Sequence, residues 1–164
     1  ADISSPPRSK KHGSGRMWTD STMALSRVVF SSNSDHWETP KAVYDALDAE
    51  FEFTFDPCPL NSAEDGLKVD WRGRAYCNPP YSKIPQFIKK GLYHLAHGNT
   101  SLLVYLLPAR TDTGWFHDYC LKAAEVRFLR GRLKFGNAQF NAPFPSMVVV
   151  FREWTMPVIP MEAA

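Results

Sequence analysis

The run SLLVYLL at residues 101–107 carries no charge and stops at Pro108. Its longest apolar stretch, 102–107, is far below the roughly 20 residues that a membrane span needs. A short continuous apolar run closed by a proline reads as a strand buried on both faces. Such a strand requires a layer above and a layer below it, and the flanking segments have the patterns to supply them.

On the amino-terminal side, Thr39-Pro40 has the chemistry of a helix start, with Thr as cap and Pro at the first helical position. Val43, Leu47 and Phe51 then recur at four-residue spacing on one helix face. Phe51, Phe53 and Phe55 alternate, which predicts a short strand ended by Asp56-Pro57-Cys58-Pro59. Residues 60–69 read as irregular, and 75–77 as a strand running into Asn78-Pro79-Pro80-Tyr81. A second helix is expected with Ser82 as its cap. Ile84, Phe87, Ile88, Leu92 and Leu95 form its apolar face, and Gly98 ends it.

Beyond the central run, a third helix capped at Asp112 or Thr113 turns Trp115, Phe116, Tyr119 and Ala123 inward. Residues 125–135 read as a strand interrupted near Gly131, 137–145 as a loop and 146–151 as a last strand. Strands alternating with helices predict a three-layer α/β fold with a mainly parallel sheet. The last two strands lack an intervening helix and should pair as an antiparallel hairpin.

The chain has 164 residues and a net charge of +2, so any nucleic-acid contact must come from a local patch. The Ser-, Pro- and Gly-rich start, with Arg8, Lys10, Lys11 and Arg16, reads as a flexible basic tail over 1–30. A single domain is expected over 31–154, followed by a tail at 155–164. No secretory leader pattern opens the sequence. Cys58, Cys77 and Cys120 form no CxxC pair, and the histidines form no HExxH or HxxxH pair. Neither a disulfide framework nor a metal site is expected.

The four residues Asn78, Pro79, Pro80 and Tyr81 carry the most chemistry. They sit after a strand and before a helix, where parallel α/β sheets place their sites. The Asn78 side-chain oxygen and the Pro79 carbonyl are two acceptors on one rigid turn, and they suit an NH2 group with two hydrogens. The Tyr81 ring offers a stacking face to the planar base that carries it. Holding both amine hydrogens would free the nitrogen lone pair for attack on a methyl group.

Asp56, ahead of Pro57 and Cys58, can receive ribose hydroxyls or a cofactor ammonium group, or simply cap a turn. Asp70-Trp71 reads either as a hydrogen-bonding and stacking pair for adenine or as a buried Trp beside a turn Asp. No GxGxxG loop is present, which argues against a standard dinucleotide enzyme. Arg127, Arg130, Arg132 and Lys134 cluster within eight residues. With Lys83, Lys89, Lys90 and Arg110 they are the candidate phosphate contacts. Asn137, Gln139 and Asn141 are the candidates for adenine edges.

These residues, taken in order, resemble the phage-type DNA N6-adenine methyltransferases. The similar stretches are SSNSDHWETP at 31–40, FDPC at 55–58, 65–67 with Asp70-Trp71, and CNPPYS at 77–82. LPAR at 107–110, TGWF at 113–116, RGRLKF at 130–135 and NAPF at 141–144 follow.

The resemblance implies a trimmed Rossmann-like methyltransferase sheet and S-adenosylmethionine as cofactor. Trp37, Thr39, Pro40, Asp56, Pro57, Cys58, Asp70 and Trp71 would lie around that cofactor, with the 37–40 segment folded over it. It implies DNA as partner, Asn78–Tyr81 as the catalytic clamp, and a cytoplasmic setting in a bacterial or phage-infected cell. Asn78 follows Asp56 by only 22 positions, so an open sheet edge beside the cofactor is expected. No segment is large enough for a separate target-recognition domain, so sequence specificity should be short or weak, or shared with a second subunit. The alternatives are an idle DNA-binding relative and a methyltransferase acting on RNA adenine or protein glutamine.

Overall fold

The computed structural model describes residues 37–136 and 141–152. The expected tails at 1–30 and 155–164 lie outside these residues, as do Asn137 and Gln139. Four strands form one sheet: β1 (Gly73–Cys77), β2 (Thr100–Pro108), β3 (Glu125–Phe128) and β4 (Ser146–Arg152). Their spatial order is β1-β2-β4-β3. Among the described residues three helices accompany them: α1 (Lys41–Phe51), α2 (Ile84–Ala96) and the short α3 (Gly114–Asp118).

The α/β class is as expected, and β3 and β4 pair antiparallel. The mainly parallel sheet needs correction. Among the described residues only β1 and β2 form a parallel ladder, while β4 is antiparallel to β2 and to β3. β1, β2 and β3 still point the same way, because the reversed β4 is inserted between β2 and β3. Its run from Met147 to Phe151 is buried on both faces, so it belongs inside the sheet and not at the rim.

β2 is the central strand the sequence predicted. Its pleat sends Leu103, Tyr105 and Leu107 to the face covered by α2, and Leu102, Val104 and Leu106 to the face covered by α1. Helix α2 lies very close to this sheet at Gly91. A Cβ there would stand 2.0 Å from the Tyr105 hydroxyl oxygen.

Local expectations fail where a longer-range partner competes. The strand expected at 51–55 shrinks to one bridge between Phe55 and Ala75. Phe51 instead completes the buried Leu47–Phe51 face of α1, which ends at Glu52 in a left-handed conformation. Pro40, not Thr39, occupies the N-cap position of α1. Ser82 does not cap α2, which is entered through a 3-10 turn at Tyr81–Lys83, with Lys83 as N-cap and a Pro in its first turn. The third helix stops at Asp118 and gives way to a 3-10 turn at Cys120–Lys122. The strand expected at 125–135 ends at Phe128, because Gly131 turns the chain at positive φ and Phe135 is drawn into the α1-side core.

His94, on α2, is 2% exposed. The Asn99 amide lies 3.2 Å from its Nδ1, and its Nε2, 4.0 Å from Asp70, has no hydrogen-bond partner among the described residues. Burial, reinforced by Lys90, holds its pKa below the ordinary value, with Asp70 opposing. The unfolded chain therefore binds this proton more readily than the folded one. The stability tied to the neutral ring is complete above about pH 6.5 and is lost as pH falls towards the folded pKa. Thermal unfolding between pH 7.5 and 5 should show a steeper acid loss in the parent than in His94→Gln. The difference is at most about 1.4 kcal/mol per pH unit, the linkage of one proton.

Candidate active site

The carboxyl ends of β1, β2 and β3 meet the amino end of β4 at one edge of the sheet. Ala109 N donates to Pro145 O and Leu129 N to Ser146 O, so the loops after β2 and β3 both pack against the start of β4 there. Asp56, after the Phe55 bridge, and Asn78, after β1, emerge at the same edge. The pleat puts Asn78 on the face of Tyr76 and opposite Cys77, so it points towards α1.

There the Asn78 amide nitrogen donates to Trp37 O at 2.6 Å and to Thr39 Oγ1 at 3.1 Å. Thr39 Oγ1 is also 2.7 Å from the Tyr76 hydroxyl. Asn78 is 5% exposed, and its Oδ1 is buried without a hydrogen-bond partner among the described residues. An unpaired buried acceptor costs about 1–3 kcal/mol, so an incoming donor would be well received here.

A cavity of about 420 Å³ opens beside Asn78. It falls in the range of small-molecule sites, about 300–1,000 Å³. Of the residues named from the sequence, Trp37, Thr39, Asp56, Cys58 and Asn78 line it. One Asp56 oxygen accepts the Cys58 amide at 2.7 Å, so the residue both shapes the turn and lines the cavity. Glu38, within the 37–40 segment expected over the cofactor, also lines it, as do Lys41, Tyr44, Asp45, Leu60 and Tyr76, which the sequence did not single out. Two signals could have found four of these: Lys41, Tyr44 and Asp45 share a helix face, and Tyr76 lies two positions before Asn78 on its strand.

Three carboxylates, Glu38, Asp45 and Asp56, face one ammonium, Lys41, so the cavity is net negative and suits a cationic ligand. Burial, helped by Asp48, Asp56 and Asp45, raises the Tyr44 pKa. Burial raises that of Tyr76 much further. Both remain neutral phenols.

Tyr81 and Trp37 form a near-parallel ring pair with centroids 6.4 Å apart. Phe144 meets Tyr81 edge-on at 5.1 Å, and Phe135 packs on Trp37 at 5.7 Å. The connection between β3 and β4 thus walls in the Asn78–Tyr81 turn. Pro79 is buried and Pro80 half-buried within that turn. Cys58 and Cys77 bring their sulfurs to 3.6 Å across the loop and β1. Burial and the Cys58 contact hold the Cys77 thiol protonated.

Of the other expected members, Pro40 and Pro57 are not among the lining residues, and Asp70 and Trp71 lie away from the site. Trp71 is 1% exposed in the core and donates from Nε1 to Gly66 O at 2.8 Å. Asp70 sits before the amino end of β1, beside His94 and Asn99 in a separate cavity. The length of β1 separates both from Asn78.

Arg127, expected as a phosphate contact, is engaged within the fold. Its guanidinium pairs with Glu50 and Glu125 and lies over the Phe51 ring, which ties β3 to the end of α1. These carboxylates raise its pKa still further. Arg130, Arg132 and Lys134 are exposed in the loop after β3, with Arg132 donating to Pro143 O. Lys83 is exposed beside Tyr81, Arg110 pairs with Asp112 after β2, and Asn141 is exposed near Phe144.

The site thus combines an α/β sheet with an Asn-Pro-Pro-Tyr turn whose Asn78 shares one cavity with the acidic Asp56. Residues 28–163 match the model of the family described as DNA N-6-adenine-methyltransferase (Dam), and the chain belongs to this family. It is also similar to a DNA N-6-adenine-methyltransferase of Escherichia phage T1, with 29% identity over 112 residues. The match covers 60% of this chain and 46% of that protein, so the chain spans about half the length of this relative.

Proposed function

We propose that the protein transfers a methyl group from S-adenosylmethionine to N6 of adenine in DNA. The observation that carries this reading is the Asn78 carboxamide. Its nitrogen is committed to Trp37 and Thr39, which leaves a buried oxygen, unpaired among the described residues, for one hydrogen of an amine. The family match supports the reaction class and DNA as the substrate. We read the sheet as a trimmed Rossmann-like methyltransferase sheet, supported by three co-directional strands with β4 reversed among them.

Adenine must leave the duplex stack to reach such a turn. Tyr81 then stacks on the base, while Asn78 Oδ1 and the Pro79 carbonyl accept the two N6 hydrogens. Both acceptors draw the hydrogens away from the ring plane and leave the lone pair pointing out of it. S-adenosylmethionine, when bound, supplies the methyl group on a positively charged sulfur. The net negative cavity, lined by Asp56, Cys58 and Trp37 among others, fits that charge. Positioning of this kind supplies much of the rate.

The test incubates the protein with labelled S-adenosylmethionine and unmethylated DNA, RNA or a glutamine peptide, then maps the label. Label on N6 of adenine in DNA is expected. Asp56→Ala should weaken cofactor binding about tenfold, or 1.4 kcal/mol. DNA binding without any transfer would make the protein an idle relative and overturn the reading.

The DNA contacts lead to a salt prediction. Neutralising two of Arg130, Arg132 and Lys134 should reduce the log–log salt slope of DNA binding by roughly one to two units. Arg127→Gln should leave the slope unchanged, since that guanidinium is held by Glu50 and Glu125. Equal slopes in all variants would move the interface to Lys83, Lys89 and Lys90.

A further inference from the structure

Asn78 has two amide orientations, and its neighbours discriminate between them. Trp37 O is a pure acceptor 2.6 Å from the terminal amide atom facing it. An oxygen turned to that place would meet another oxygen at the same distance, so the nitrogen must face Trp37. The second nitrogen hydrogen goes to Thr39 Oγ1. Thr39 in turn shares a 2.7 Å hydrogen bond with the Tyr76 hydroxyl, 37 residues away in the chain. Tyr76 is 2% exposed, and its ring is held edge-on by Tyr44 at 5.1 Å. Thr39 is thus pinned from the sheet side and accepts from the side of Asn78.

We infer that Thr39, anchored by Tyr76, is a positioning residue that aims the Asn78 carboxamide oxygen at the reacting amine. Thr39 then serves the clamp and not the cofactor. What the oxygen receives rests on the proposed function, whereas the aiming of the amide does not. The chain of contacts also explains why the helix cap falls to Pro40: the Thr39 hydroxyl is already engaged with Asn78 and Tyr76.

Two independent readouts test this. The first is deuterium exchange of the Asn78 side-chain amide, followed by NMR. Thr39→Val should accelerate exchange of one amide hydrogen by about tenfold or more, and Thr39→Ser should restore slow exchange. The second is single-turnover methyl transfer. Thr39→Val should slow the step about tenfold, the scale on which a group that orients a ligand is felt, with cofactor Kd unchanged. Thr39→Ser should recover the rate.

Tyr76→Phe, which leaves the Thr39 hydroxyl free to turn, should fall between them and guards against a folding defect in Thr39→Val. In an Asn78→Ala background, Thr39→Val should add no further loss of rate. An additive loss, or a weakened cofactor Kd with an unchanged rate, would make Thr39 a cofactor contact and overturn the inference. Unchanged amide exchange would overturn it as well. If the parent transfers no methyl group, the proposed function fails by itself, and amide exchange still decides the role of Thr39.

Discussion

Asn78→Ala is expected to lower the methyl-transfer rate at least a hundredfold, about 2.7 kcal/mol of barrier. The substitution removes a buried acceptor that has no hydrogen-bond partner among the described residues. The backbone Pro-Pro turn and the Asp56 loop keep their own supports. The lost interaction matters most as the amine nitrogen becomes tetrahedral, so the deficit belongs in turnover and not in cofactor affinity. Single-turnover rates and calorimetric cofactor titration separate the two quantities. Transfer at the parent rate would remove the clamp from the mechanism. Tyr81→Ala should instead weaken capture of the base by about 1–3 kcal/mol, and Tyr81→Phe should be mild, because the ring does the stacking.

Trp71→Ala should cost about 3–5 kcal/mol of stability, the scale of deleting a buried aromatic side chain. Trp71 packs among Phe55, Phe87 and Tyr105, with centroids 6.2–6.5 Å away. Its indole N–H also holds the Gly66 carbonyl. Gly66 in turn lies against the Pro57 backbone so closely that a Cβ would stand 2.0 Å from Pro57 O. Trp71 therefore supports the Asp56 loop from beneath without touching its cavity. Trp71→Phe should cost about 1 kcal/mol or somewhat more, from leaving the Gly66 carbonyl unpaired. Urea unfolding measures both. A folded Trp71→Ala with parental stability and reduced cofactor affinity would return Trp71 to the cofactor site.

Much of the frame was legible in the sequence because it depends on local periods. The 101–107 run predicted a strand covered on both faces, and β2 carries helices on both sides. The four-residue spacing of Val43, Leu47 and Phe51 predicted α1, and the apolar face from Ile84 to Leu95 predicted α2. Asn78–Tyr81 was expected at a strand end, and it follows Cys77, the last residue of β1. These patterns survive folding because each reflects which face of one element meets the core.

Where several segments compete for one side chain, local reading failed. Thr39 has the chemistry of a helix cap, yet Asn78 and Tyr76 engage its hydroxyl. Arg127 belongs to a basic run, yet Glu50 at the end of α1 claims it across 77 positions. Asp70 and Trp71 precede the clamp strand in sequence, but a strand carries its two ends apart, so adjacency to β1 put them at the wrong end of it. Sequence alone determined that Asn78–Tyr81 follows a strand end. The tertiary structure decided which way the Asn78 amide points, because only packing brings Trp37, Thr39 and Tyr76 within hydrogen-bonding distance of one another's partners.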